Sequence, residues 1–99
     1  MEQPIYKLWL MKYKDAWYRL SPEEQHALEV KVEEALKNVG GERLLMRVSV
    51  WASEEWMAWG VEKFPNIQAV QAHAMALFAM NHYQYVESVS YLGVEMPQM

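Results

Sequence analysis

The chain contains no cysteine, which excludes a disulfide framework, a thiolate metal site and a cysteine nucleophile, and leaves the redox compartment open. Long hydrophobic runs are missing too. The longest uninterrupted apolar stretch covers residues 74–80, far below the ~18 residues a membrane-crossing helix needs. Positive charge is the minority sign: nine Lys and Arg against thirteen Asp and Glu leave −4 with the histidines neutral. Without a clustered basic run there is no electrostatic case for binding a nucleic acid backbone. The opening MEQPIYKLWLMKYKD carries an early Glu2 and lysines among its apolar positions, which argues against a secretory signal and for a cytoplasmic chain. No solenoid-period repeat, low-complexity tract, Gly-rich phosphate loop, Gly-x-Ser-x-Gly elbow or acidic metal-binding loop occurs.

What is present is core material. Hydrophobic residues make up 53% and aromatic residues 13% of 99 residues, enough for one domain spanning residues 1–99, which at this length buries roughly 65% of its unfolded surface. Residues 5–13 are dense in aromatic and branched side chains and read as a strand with two sets, Ile5, Lys7, Trp9, Met11, Tyr13 and Tyr6, Leu8, Leu10, Lys12. Ser21-Pro22-Glu23-Glu24 supplies an N-cap, a proline at the first helical position and a Glu at the third. The helix it starts carries Leu28, Val32, Ala35, Leu36 and Val39 on one stripe and stops at Gly40-Gly41. Residues 43–52 and 55–64 read as a hairpin about Ser53-Glu54, and Phe64-Pro65-Asn66 caps a second helix with Ile67, Val70, Ala74, Leu77, Phe78 and Asn81 on one side. Residues 85–95 form the last strand, ended by Pro97.

The order βαββαβ predicts an α+β, ferredoxin-like domain: a four-stranded antiparallel sheet with two helices on one face. Apolar residues on both strand faces predict a homodimer joined through the open sheet faces.

At this point the chain resembles the dimeric α+β-barrel superfamily over essentially its whole length. AWYRLSPEE at 16–24, VEKFPNIQAVQAH at 61–73 and YQYVESVSYLG at 83–93 look like a group of short bacterial proteins of unknown function within it. The superfamily includes cofactor-independent monooxygenases, lactone isomerases, polyketide cyclases, hydroxynitrile lyases and haem-degrading enzymes. The resemblance therefore implies a small-molecule cleft between sheet and helices, and it carries over no catalytic residue.

Three histidines are available. His26, His73 and His82 show no metal-ligand spacing. His26 falls on a solvated helix face, and His82 at a helix end suits the dipole as a cap. His73, at the flank of the second helix's core stripe, is the candidate general base, with Tyr13 as the hydroxyl partner in proton transfer. Trp9, Met11, Trp17, Tyr18 and Leu77 gather as a wall for an apolar or aromatic ligand. The leading reading is a binder or metal-free enzyme of a small organic molecule, with no cofactor. The alternatives are a haem-binding barrel and a non-catalytic structural or regulatory dimer. Arg47, mid-strand, is expected to pair with Glu87. Glu23, Glu24, Glu29, Glu33 and Glu34 are expected to form a solvated face.

Overall fold

The computed structural model describes residues 3–97. The elements follow in the order β1 (Ile5–Tyr13), α1 (Asp15–Tyr18), α2 (Pro22–Asn38), β2 (Glu42–Val48), β3 (Ala58–Phe64), α3 (Ile67–Ala79), α4 (His82–Tyr85) and β4 (Val86–Gly93). All strand pairs are antiparallel in the order β2-β3-β1-β4, the ferredoxin-like sheet. Two short helices, α1 and α4, are added to the expected order at the ends of β1 and α3. Among the described residues no helix is long and apolar enough to cross a membrane.

Local chemistry explains the helix ends. At the start of α2 the Ser21 hydroxyl accepts from the Glu24 amide at 3.1 Å while the Ser21 amide donates to the Glu24 carboxylate at 3.0 Å, a reciprocal capping box. Its last turn closes when the Gly40 amide donates to the Lys37 carbonyl and the Gly41 amide to the Leu36 carbonyl, with Gly40 at φ 76°. This is the paired bond pattern that a left-handed residue after the helix allows, and glycine takes it without a Cβ penalty. Asn66 caps α3 through a side-chain bond from the Ala69 amide at 2.8 Å.

The sheet has one covered and one open face. On β3, Ala58, Gly60, Glu62 and Phe64 are buried while Trp59, Val61 and Lys63 point away. Register assigns Lys7, Trp9, Met11 and Tyr13 of β1 to the covered face, opposite Glu62, Gly60, Ala58 and Val86. Leu36, Phe64, Ala69 and Val70 form the tight core, with Ile5 and Val39 packed against it. Because Ile5 pairs with Phe64, this core closes one end of the layer, and the length of β1 from Lys7 to Tyr13 lies beyond it.

Four expectations are corrected by the structure. The 43–52/55–64 hairpin does not turn at Ser53-Glu54: β2 ends at Val48, β3 begins at Ala58, and residues 49–57 form a loop. That loop folds around Ser49, whose amide donates to the Met57 carbonyl and whose hydroxyl donates to the Trp56 carbonyl. A two-residue hairpin needs left-handed backbone at its centre, for which Ser-Glu offers no glycine or asparagine. Arg47 and Glu87 do not pair, because β2 and β4 are opposite edges of the sheet. Arg47 is exposed and donates to the Met46 carbonyl, and Glu87 pairs with Lys12 at 3.6 Å. The buried side of α3 is Ala69, Val70, His73 and Leu77, with Phe78 69% exposed, so the stripe is rotated from the expected one and His73 sits in it rather than on its flank. Finally, Glu33 leaves the solvated face in part, half-buried and ion-paired with Arg43 at the cavity wall, while Glu29 also lines the cavity and stays exposed as expected.

Candidate functional site

Between the covered sheet face and α2, α3 and α4 lies a cavity of about 510 Å³, within the range of small-molecule sites. Its floor is β1. Trp9 can lie flat there because β3 carries glycine opposite: a Cβ on Gly60 would stand 2.6 Å from Trp9 Cζ2 and 2.8 Å from the Leu45 carbonyl oxygen. Met11 and Tyr13 continue the floor, and Leu77, Leu28 and Val32 line it from the helices.

One end of the cavity is aromatic. Tyr13 and Trp17 stack at 4.3 Å with planes 4° apart, and Tyr18 meets the Tyr13 ring edge-on at 6.3 Å. Tyr18 is 60% exposed and stands outside the lining, its hydroxyl directed at Met57 Sδ at 3.8 Å. Burial, the Glu29 carboxylate and Tyr18 together push the Tyr13 phenol above its ordinary range.

The other end is charged. A β-bulge between Arg43 and Leu45 shifts the register, so that Arg43 faces Glu62 on the covered side while Leu45 faces Val61 on the open side. Arg43 Nη1 pairs with Glu33 of α2, and Nη2 reaches Glu62 at 3.6 Å. Lys7 stands opposite Glu62 across β1 and β3. Burial lifts the Glu62 carboxyl above its usual range against the attraction of Lys7 and Arg43, and burial lowers Lys7 against the attraction of Glu62.

His73 reaches this end from α3. It is 3% exposed, packs against Phe64 at 5.3 Å between ring centroids, and neither Nδ1 nor Nε2 has a hydrogen-bond partner among the described residues. Burial, and then Lys7, His82 and Arg43, push its pKa down from 6.5 to about 4. The ring is therefore neutral at physiological pH, with one nitrogen a donor and the other an acceptor. Trp9 Nε1 is likewise buried without a partner among the described residues. His82 opens α4 after the left-handed Asn81 rather than ending α3. It lines the cavity, and burial and Lys7 lower its pKa, which opposes the cationic form a helix cap would use.

Of the residues singled out from the sequence, the structure brings Trp9, Met11, Tyr13, Trp17, His73 and Leu77 onto one cavity. It does not join His73 to Tyr13: the groups that act on His73 are Lys7, His82 and Arg43, those that act on Tyr13 are Glu29 and Tyr18, and Lys7 and Tyr13 are separated by about 20 Å of strand. The sequence reading passed over Lys7, Arg43 and Glu62 as site residues, and took Glu33 for a solvated side chain and His82 for a helix cap. The signal for Lys7 was its place in the same alternating set as Trp9, and for Glu62 its alternation with Ala58 and Phe64; Arg43 needed the bulge, which a strict period of two hides. Among the described residues no group of three His, Asp or Glu could hold a metal ion.

No family model and no curated protein matches the chain. Solved structures do share its fold. A dabb family protein with a ferredoxin-like fold from Mesorhizobium loti superposes with a TM-score of 0.66 at 14% identity, covering 97% of this chain and 100% of that one. A protein of unknown function from Rhodopseudomonas palustris gives 0.62 at 14%, covering 99% and 86%. A dimeric protein of unknown function with a ferredoxin-like fold from Bacteroides fragilis gives 0.52 at 14%, covering 93% and 96%.

Proposed function

We propose that this chain binds a small, flat, mainly apolar organic molecule between its sheet and helices, and that His73 acts on it as a neutral imidazole. The observation that carries this reading is a buried histidine with both nitrogens unpartnered, on the wall of a cavity large enough for such a ligand. A buried polar atom without a partner costs roughly 1–3 kcal/mol, and a ligand polar atom that bonds to it recovers that loss. Trp9, Met11 and Leu77 supply apolar area, Trp9 Nε1–H a second donor, and His73 orientation. The neutral ring can also accept a proton without a metal from a bound ligand whose own acidity matches its lowered basicity, which makes an isomerase- or cyclase-type proton transfer on an activated C–H or O–H group the reaction class that fits.

The working unit in this reading is a homodimer. Leu45, Val61, Leu8 and Tyr91 form one apolar row across the open sheet face, and Trp59, Leu10 and Val89 the next. Leu8 is 40% and Tyr91 61% exposed in the single chain, and a second copy would cover both rows through one isologous contact.

The test is a titration of the purified protein with 2-naphthol, read by tryptophan fluorescence, beside native mass spectrometry for subunit number and retained ligand. Saturable binding that weakens in a folded His73→Phe variant is expected. No binding, or equal binding by that variant, would overturn the assignment. A Soret band in the purified protein would identify haem as the occupant instead.

A further inference from the structure

Lys7 differs from the other lysines of the chain. Lys12 pairs with Glu87 on the open face, the Lys14 amine donates to the Tyr83 carbonyl at 2.8 Å, Lys63 lies over the Tyr6 ring at 5.9 Å, and Lys31 and Lys37 are exposed on α2. Lys7 is half-buried, lines the cavity from the third residue of β1, and among the described residues holds no ion pair or hydrogen bond. Glu62, its neighbour across the sheet, is already engaged by Arg43. Trp9 follows two residues later on the same face, about 7 Å along the strand. A flat molecule resting on Trp9 thus has its edge within reach of the Lys7 amine.

We propose that Lys7 is a reactive amine that condenses with an aldehyde or ketone seated in this cavity, so that the ligand class of the site is a carbonyl compound. The inference rests on the small-molecule reading above and deepens it. The step consumes no oxidant or reductant. The nitrogen lone pair forms a C–N bond to the carbonyl carbon while the C=O π pair moves to oxygen, and one proton passes from nitrogen to that oxygen to give a carbinolamine. The C–O bond then breaks, the hydroxyl leaves as water with the second nitrogen proton, and a C=N bond remains.

The surroundings favour each part. Desolvation favours the neutral amine, the form that attacks, as it does for reactive lysines in apolar pockets generally. The charged and titratable groups around Lys7 are Glu62 beside it on β3, His73 from α3 and His82 from α4, with Arg43 of β2 paired to Glu62 and Glu33 of α2 paired to Arg43; Glu29 lines the cavity at its Tyr13 end, and β4 contributes only the uncharged Ser88 and Ser90 among its polar residues. Glu62, held above its ordinary carboxyl range, and the neutral His73 are the groups able to carry the proton between nitrogen and oxygen.

The experiment treats the full chain with 2-naphthaldehyde and sodium cyanoborohydride at neutral pH, then locates the reduced adduct by intact mass and peptide mapping. A parallel titration with 2-naphthol, which cannot form an imine, reports the cavity alone. One adduct per chain at Lys7, competed by 2-naphthol and lost in Lys7→Arg, is expected. Adducts spread over Lys31, Lys37, Lys63 and the amino terminus without enrichment at Lys7 overturn the proposal. Binding of 2-naphthol with no trapped aldehyde also overturns it and leaves the cavity reading standing, whereas failure of both probes removes both. Peptide mapping on the unaltered protein decides the matter even where Lys7→Arg fails to fold.

Discussion

His73 shows how a single side chain can be costly to the fold and useful to a site. Its pKa lies near 4 in the folded protein and near 6.5 when exposed, so between these values the unfolded chain binds more protons than the folded one. Stability contributed by the neutral ring is then complete above pH 6.5 and is lost as pH falls toward 4, by on the order of 2–3 kcal/mol. Glu62 responds in the opposite direction, because a raised carboxyl gains relative stability as it protonates. The His73 share is therefore read as a difference. Denaturant melts from neutral pH to pH 4 should fall more steeply in the unaltered protein than in His73→Phe, and parallel slopes would show that the ring does not resist protonation. Arg43 is the second residue on which the polar end depends. Arg43→Ala leaves Glu62, 5% exposed, without its ion pair, and uncovering a buried charge in this way costs about 3–5 kcal/mol. A midpoint in urea close to that of the unaltered protein would show that Lys7 alone compensates Glu62.

At the scale of the element, what could be read in the sequence follows from how local the cause is. The capping box of α2 is contained in Ser21 to Glu24, and the stop in Gly40-Gly41, so both ends of that helix were legible without tertiary information. Ser21→Ala should accordingly lower stability by about 1 kcal/mol without altering ligand binding, a result that chemical denaturation beside the 2-naphthol titration can check. β2 was less legible because its register is decided by an interruption. The alternation of Leu44, Met46 and Val48 against Leu45 and Arg47 suggests an unbroken strand, yet the bulge at Arg43/Leu45 reverses the face of everything before it. Arg43 thereby enters the layer and Arg47 stays outside, the reverse of the expected pairing with Glu87. The stripe on α3 was ambiguous for another reason: five of the thirteen residues of that helix are alanine, so apolar periodicity could not distinguish Ile67 and Phe78 outside from Ala69 and His73 inside.

For the whole molecule, the two faces of one sheet divide the work. On the covered side, the glycine at position 60 and the bulge in β2 make room for Trp9 and bring charge to the far end of the cavity. On the open side, uninterrupted alternation in β1 and β3 leaves Leu8, Leu10, Trp59 and Val61 outward, the apolar surface that the proposed homodimer would cover with its own copy. Since folding and association are then linked, the melting temperature should rise with protein concentration. Leu10 lies at the middle of the surface, between Trp59 and Val89, and its side chain takes no part in the cavity lining. Leu10→Glu places like charges on the two copies at their contact and should convert the dimer to a monomer in sedimentation at micromolar concentration. Its melting temperature should become independent of concentration, and far-ultraviolet circular dichroism should retain the α+β signature of the single domain. A dimer that persists in Leu10→Glu would move the contact away from this face, and a monomeric unaltered protein would remove the sheet-to-sheet assembly altogether.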